Sequence, residues 1–226
     1  MHPSDLEDRL RGRFRVRTET FEHGPLSLEI LLPDAAEELI DEAEFDVDER
    51  LPYWADLWPS ARALARRLLE GPAPAGRVLE LGSGVALPSL VLLARGAEVL
   101  ATDWYADALL FARANAERNG LPALATAEVD WRAVPEELGR FDTVIAADVL
   151  YEMRNAESLS LALPRLVAPG GVAVVAVPGR VYRSEFVSRM AWRGWKVEEV
   201  LVREPTDYSP AGAQQIHLLT LRPPAD

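Results

Sequence analysis

The chain of 226 residues contains no cysteine. Disulfides, thiolate nucleophiles and Cys-ligated zinc or iron–sulfur centres are therefore excluded. Lysine is nearly absent as well: Lys196 is the only one, and every other basic side chain is arginine. The codon bias of a GC-rich genome accounts for this more simply than selection against self-modification does. Positive charge is scarce overall, with 24 Lys and Arg against 36 Asp and Glu and a formal net charge of −12. Nucleic-acid binding leaves a basic footprint, so nucleic acid is not the expected partner. An acidic surface draws cationic partners instead. Long apolar runs are also missing; none reaches the ~20 residues of a membrane span. The first seventeen residues alternate acids and bases without the apolar core of a signal segment. The expectation is a soluble, cytoplasmic protein with no membrane partner. Of the three histidines, His217 reads as structural within the last strand and His23 lies beside a turn. No metal-ligand cluster is visible, and no metal is expected.

What is present suits one α/β domain with a small appendage, since 49% of the residues are hydrophobic. Residues 1–50 form the expected N-terminal extension. Phe14 and Val16, then Leu26, Leu28 and Ile30, alternate with polar residues around His23-Gly24-Pro25 and predict a hairpin with one buried face. Asp34 stands three residues before Glu37, a capping-box spacing that predicts a short helix. The acids from Glu37 to Glu49 read either as a solvated face or as a guide for a cationic substrate. From residue 51 onward the pattern is a catalytic-type domain. Pro52-Tyr53-Trp54-Ala55-Asp56-Leu57-Trp58-Pro59-Ser60 leads into a helix with Leu57, Ala61, Leu64 and Leu68 on one face. Strands are expected at 77–81, 98–102, 123–129, 141–147, 172–177, 195–202 and 215–221. Helices are expected at 87–95, 105–119, 157–167 and 182–192, with Gly120 closing the second and Pro169-Gly170-Gly171 the third. This alternation predicts a doubly wound, seven-stranded, mostly parallel sheet, a Rossmann-like fold, with a hairpin and helix appended at the N-terminus.

Val78-Leu79-Glu80-Leu81-Gly82-Ser83-Gly84-Val85-Ala86 is a strand entering a glycine turn and then a helix. Gly82, Ser83 and Gly84 provide a backbone that a ligand can approach closely. A dinucleotide fingerprint would need a third small residue where this chain has Leu87. Glu80 is also ill placed beside a pyrophosphate and suits a ligand bearing positive charge. S-adenosylmethionine carries an ammonium and a sulfonium and no phosphate, so it is the expected cofactor. Asp103 ends the next strand about 20 residues past the first glycine, where an acid accepts both ribose hydroxyls; it also reads as an N-cap. Asp130 and Trp131 end the third strand and suit the adenine amino group and ring, or else a loop acid beside a core tryptophan. Trp104, after Asp103, and Ala147, before Asp148, complete the cofactor-side candidates.

Residues 78–86 resemble motif I of the class I methyltransferases, and residues 98–103 resemble their acidic second motif. Three further stretches resemble the seven-β-strand protein methyltransferases of family 16, in particular the lysine methyltransferase of the electron-transfer flavoprotein β subunit and its bacterial relatives. They are the Trp-rich segment 52–59, the D-x-x-Y signature Asp148-Val149-Leu150-Tyr151, and Pro178-Gly179-Arg180. The resemblance spans roughly 51–221. Ala86 departs from it, standing where many members have glycine, a small-for-small change expected to matter little. The resemblance implies an S-adenosylmethionine-dependent N-methyltransferase acting on a protein lysine, with Asp148 aiming the amine and Tyr151 walling the channel. Read without it, that pair is more simply an N-cap and a core tyrosine, since such caps are common. Trp58 would lie over the cofactor. The alternatives are a small-molecule N-methyltransferase and a binding module without catalysis; retention of Asp148 and Tyr151 argues against the latter.

Overall fold

The structure is a computed structural model and describes residues 5–34, 52–179, 181–207 and 209–224. Helix α1 (Asp5–Arg13) precedes an antiparallel hairpin of β1 (Val16–His23) and β2 (Leu26–Pro33). After α2 (Pro59–Glu70) the chain runs β3 (Arg77–Leu81), α3 (Leu87–Ala94), β4 (Glu98–Asp103), α4 (Ala106–Arg118), β5 (Ala125–Glu128) and β6 (Phe141–Ala147). It continues through α5 (Met153–Leu166), β7 (Val167–Pro178), α6 (Val181–Trp192), β8 (Lys196–Pro205) and β9 (Ala213–Arg222).

The main sheet has seven strands in the order β5-β4-β3-β6-β7-β9-β8. The first five strands of that order pair in parallel, and β9 is antiparallel to both of its neighbours. The expected mixed, doubly wound sheet is therefore present. The strand order reverses between β3 and β6, and ligands bind at such a point, outside the carboxyl ends of the strands.

Two apolar clusters cover the two sheet faces. One joins α2, α3 and α4 to the hairpin and includes Leu10, Phe21, Ile30, Leu64, Leu90 and Phe111. The other sits under α5 and α6 and includes Leu159, Leu163, Phe186 and Met190. The N-terminal extension thus shares a core with the sheet. Asn115 secures this join. It is fully buried; its Oδ1 accepts from the Leu31 amide (2.7 Å), and its Nδ2 donates to Leu31 O (3.1 Å) and Val85 O (3.3 Å). One carboxamide thereby ties β2, α4 and the glycine turn together.

Several expectations change in the structure. Helix α1 was not anticipated, because Leu6 and Leu10 are its only large apolar residues. Its charges follow the helix dipole, acids first and arginines last, and buried Glu7 accepts from Arg11 and Arg118. Burial opposes ionisation of Glu7, but the two guanidinium hydrogen bonds and charges outweigh it and hold the carboxyl below its usual range. In the hairpin, Phe14 and Val16 are only half-buried, whereas Phe21, Leu28, Ile30, Leu31 and Leu32 are buried. Strand β7 begins at Val167 rather than 172, with its register to β6 shifting between Phe141 and Thr143. Helix α5 begins at Met153 rather than 157. The helix expected at Asp34 and the acids from Glu37 to Glu49 lie outside the described residues.

Candidate active site

Between β3 and α3 the chain makes a tight left-handed turn: φ is +63° at Gly82, +51° at Gly84 and +66° at Ala86. A Cβ on Gly82 would stand 3.0 Å from Val149 Cγ1 and 3.4 Å from the Trp131 ring. A Cβ on Gly84 would stand 3.1 Å from the Trp54 carbonyl. Glycine is required at both positions by torsion and by space. Ala86 carries more strain than its size suggests, since the left-handed region costs an L-residue roughly 1–2 kcal/mol.

Acids lock this turn from beneath. Asp103 Oδ2 accepts from the Gly84 amide (2.8 Å) and Oδ1 from the Tyr105 amide (3.0 Å). Asp103 thus shapes the turn and holds the amide of Tyr105, the residue that precedes α4, rather than capping that helix itself, and it presents its carboxylate at the sheet edge. Glu80 is fully buried, and its Oε2 accepts from the Ser89 amide (3.0 Å) and the Ser89 hydroxyl. Burial drives its pKa up to about 8; the Ser89 bonds oppose this only in part, and the Asp103 charge adds to it. Glu80 therefore caps the first turn of α3 and is mainly neutral at pH 7.

Above the turn lies a cleft of about 1090 Å³, its solvent-open mouth included. Trp58, Glu80, Gly82, Ser83, Gly84, Asp103, Trp104, Asp130, Trp131, Ala147, Asp148 and Tyr151 all line it. Every site residue singled out in the sequence is thus brought to one place, from segments 58 to 151. On the β4–β5 side, Trp104 is exposed, with the Arg132 guanidinium 5.2 Å over its ring. Asp130 accepts from the Arg132 amide (2.9 Å) and pairs with the Arg132 guanidinium. On the other side, Asp148 follows β6 in a left-handed conformation at φ +56°. Its amide donates to Ala176 O (2.8 Å), and its Oδ2 accepts from Ser60 Oγ (3.2 Å). Non-glycine residues held in this region tend to cluster at functional sites, although aspartate adopts it more readily than most.

Three contributors were missed in the sequence. Ser60, fully buried in the first turn of α2, bonds an acid 88 positions away; nothing local distinguishes it from an ordinary helix-start serine. Asn155 is buried, lines the cleft, and has no partner for Nδ2; starting α5 too late hid it. Tyr53 was noted only as part of the Trp-rich segment. Among the described residues no group of three or more His, Asp or Glu is arranged to hold a metal.

The donor set fits S-adenosylmethionine. The glycine turn leaves the Ser83 hydroxyl buried without a partner at the cleft, a polar group for which a ligand supplies the missing bond. Acids outnumber arginines on the cleft wall, which suits an ammonium and a sulfonium. Trp104 and Trp131 line the cleft with the strand-end acids Asp103 and Asp130, a setting that suits a nucleoside. Residues 78–171 match the methyltransferase-domain family. Fold, turn and match together relate this domain to the class I methyltransferases, whose cofactor is S-adenosylmethionine. It is related to the electron transfer flavoprotein β subunit lysine methyltransferase: the mouse protein is 35% identical over 136 residues, 57% of this chain and 51% of that protein. The human histone-arginine methyltransferase METTL23 is 32% identical over 114 residues, 46% of this chain and 58% of that protein. The chain spans about half the length of the curated relatives it matches. The tRNA (uracil-54, C5)-methyltransferase of Pyrococcus abyssi, in complex with S-adenosyl-L-homocysteine, shares the fold at a TM-score of 0.60 and 19% identity, covering 92% of this chain and 44% of that one.

Proposed function

We propose that this chain methylates the side-chain nitrogen of a protein lysine. The observation that carries the reading is Asp148: a strained, buried acid, fixed by Ser60 and Ala176, on the same cleft as the glycine turn. The cofactor supplies a methyl group on a sulfonium, already activated for in-line displacement. The chain's task is then proximity and aim. Asp148 accepts a hydrogen bond from the amine and directs the lone pair toward the methyl group. Ser60 holds one oxygen of that carboxylate so that the aim is fixed before the acceptor arrives. Tyr151, beside Tyr53 at a centroid distance of 5.1 Å, walls the channel. Lysine must lose its proton first, against a free pKa of ~10.4; the proton leaves to water or to Asp148. The relatives that act on protein lysine and arginine support a protein acceptor, and the charge of −12 supports a basic one.

The test is transfer of labelled methyl from the cofactor to lysate fractions. Label in a protein band, lost with Asp148→Asn, supports the reading. Label only in small molecules overturns it in favour of a small-molecule N-methyltransferase, and no label anywhere favours a binding module.

A further inference from the structure

Among the described residues, two side chains that line the cleft bury a polar atom without a partner. One is the Ser83 hydroxyl, in the glycine turn itself. The other is Asn155 Nδ2, on a side chain that is 7% exposed. Asn155 stands in the first turn of α5. An asparagine there commonly bonds the local backbone, yet this Nδ2 donates to nothing. On the same face of α5 follow Leu159, Ala162, Leu163 and Leu166, all buried in the apolar cluster beneath the helix. Asn155 is therefore the polar end of an apolar stripe, at the point where that stripe reaches the cleft. A buried N–H without an acceptor is destabilising, and a ligand that brings the acceptor removes the penalty. The terminal torsion of asparagine is broad, so a small turn of the carboxamide presents Nδ2 to an occupant of the cleft.

The wall around Asn155 has the chemistry of a base pocket. Helix α5 packs against the segment Trp131–Ala133 that follows β5, and Trp131 joins the apolar cluster beneath α5. The Trp131 ring and Val149 both close on Gly82. Trp131, Val149 and Asn155 thus line the cleft together, two apolar groups and one donor. A nucleobase suits such a wall: its faces take aromatic and apolar contacts, and its edge carries ring nitrogens that accept hydrogen bonds. The cofactor brings one such base, its adenine. Asp130, expected from the sequence to meet the adenine amino group, already accepts from Arg132 through both oxygens: Oδ1 from the amide (2.9 Å) and Oδ2 from Nε (2.9 Å). The donor left unbonded on this wall is Asn155 Nδ2.

We propose that Asn155 is the residue that reads the cofactor's base, its Nδ2 donating to a ring nitrogen of adenine. The proposal rests on the cofactor and not on the lysine reading, so it stands whatever the methyl acceptor is. It gives Asn155 a role at the cofactor end of the cleft, apart from the acceptor end where Asp148 aims the amine. It also accounts for a polar residue at a position where the helix stripe calls for an apolar one: the free protein carries the unbonded donor, and the bound base satisfies it.

Calorimetry on the full chain tests this with S-adenosylhomocysteine and its 1-deaza, 3-deaza and 7-deaza forms, each with one ring nitrogen of the base replaced by C–H. One of the three should bind the wild type about five- to tenfold more weakly than the parent, the loss of one hydrogen bond. Asn155→Ala should weaken the parent by a similar factor and bind that same deaza form as well as it binds the parent. The changes in protein and ligand are then non-additive, as for two groups in contact. Asn155→Leu, which extends the apolar stripe, removes the donor a second way, and a cooperative urea transition shows that each variant has folded. Unchanged affinity for S-adenosylhomocysteine in the folded variants overturns the assignment; if methyl transfer falls at the same time, Asn155 belongs to the acceptor end instead. Deaza losses that are equal in wild type and variants also overturn it, because the base would then be read by another group.

Discussion

Replacing Glu80 with glutamine should make the protein's stability less dependent on pH between 5 and 8. The Glu80 carboxyl is fully buried beneath the glycine turn and is pushed up to about 8. In the unfolded chain a glutamate titrates near ~4.3. The folded value lies above the unfolded one, so the protonated form is favoured by folding. That contribution is complete below about pH 4.3 and is lost progressively as pH rises through the folded value. Each pH unit in this window costs about 1.4 kcal/mol, or on the order of 5 kcal/mol over its whole width. Between pH 5.5 and 7.5 the wild type should therefore lose about 2–3 kcal/mol that Glu80→Gln retains. Glutamine keeps the shape, and its Oε1 can accept from the Ser89 amide and hydroxyl as the carboxyl does now. Urea denaturation at the two pH values gives the comparison, and other titrating groups cancel between the proteins. Identical pH slopes would show that Glu80 is ionised throughout and refute the reasoning.

The same group couples to the cofactor. A cation bound in the cleft favours the carboxylate, so cofactor binding near pH 7 should release protons from the wild type. Calorimetry in buffers of different ionisation enthalpy detects this release. Its absence in wild type, or its persistence in Glu80→Gln, would place the proton elsewhere.

Asp103→Ala should weaken S-adenosylhomocysteine by at least about tenfold and also cost about 1–3 kcal/mol of stability, because the Gly84 and Tyr105 amides lose their acceptor; equilibrium binding and denaturant melts separate the two effects. Asp148→Asn should abolish methyl transfer to lysate protein with cofactor affinity nearly intact, and Ser60→Ala should lower transfer by about tenfold while Ser60→Thr restores part of it; full activity in Ser60→Ala would mean the 3.2 Å bond has no part in aiming Asp148. Asn115→Ala should cost about 1–3 kcal/mol for each backbone group of Leu31 left buried and unpaired, read as a lower urea midpoint. Glu7→Gln should flatten stability on the acid side, because a carboxyl held below its usual range contributes above the unfolded value of ~4.3 and is lost as pH falls through the folded one.

Much of this site was legible because its signals are local. Glycines at 82 and 84, an acid closing β4 and an apolar strand before each turn are spacings within a single βαβ unit, and such units cross over in one handedness. The sheet then carries those strand ends to the same edge, which is why twelve residues chosen from the chain line one cleft. Asp148 and Tyr151 were reached through the D-x-x-Y resemblance, while the left-handed torsion that sets Asp148 apart has no sequence signature in an aspartate.

What was not legible depends on partners far along the chain. Helix α1 has little apolar periodicity and relies on Glu7 reaching Arg118 across 111 positions. Ser60 looks like any serine at a helix start until β6 delivers Asp148 to it. Glu80 shows the same limit in its chemistry. Its acidity suggested a fixed negative charge beside a cationic cofactor, but burial under the turn makes it a neutral cap on α3 at pH 7. The preference for a positively charged ligand then survives in a different form. If binding releases that proton, a cation draws a charge out of Glu80 rather than meeting a standing one, and the turn that Glu80 and Asp103 hold in shape becomes electrostatically complementary as the ligand arrives.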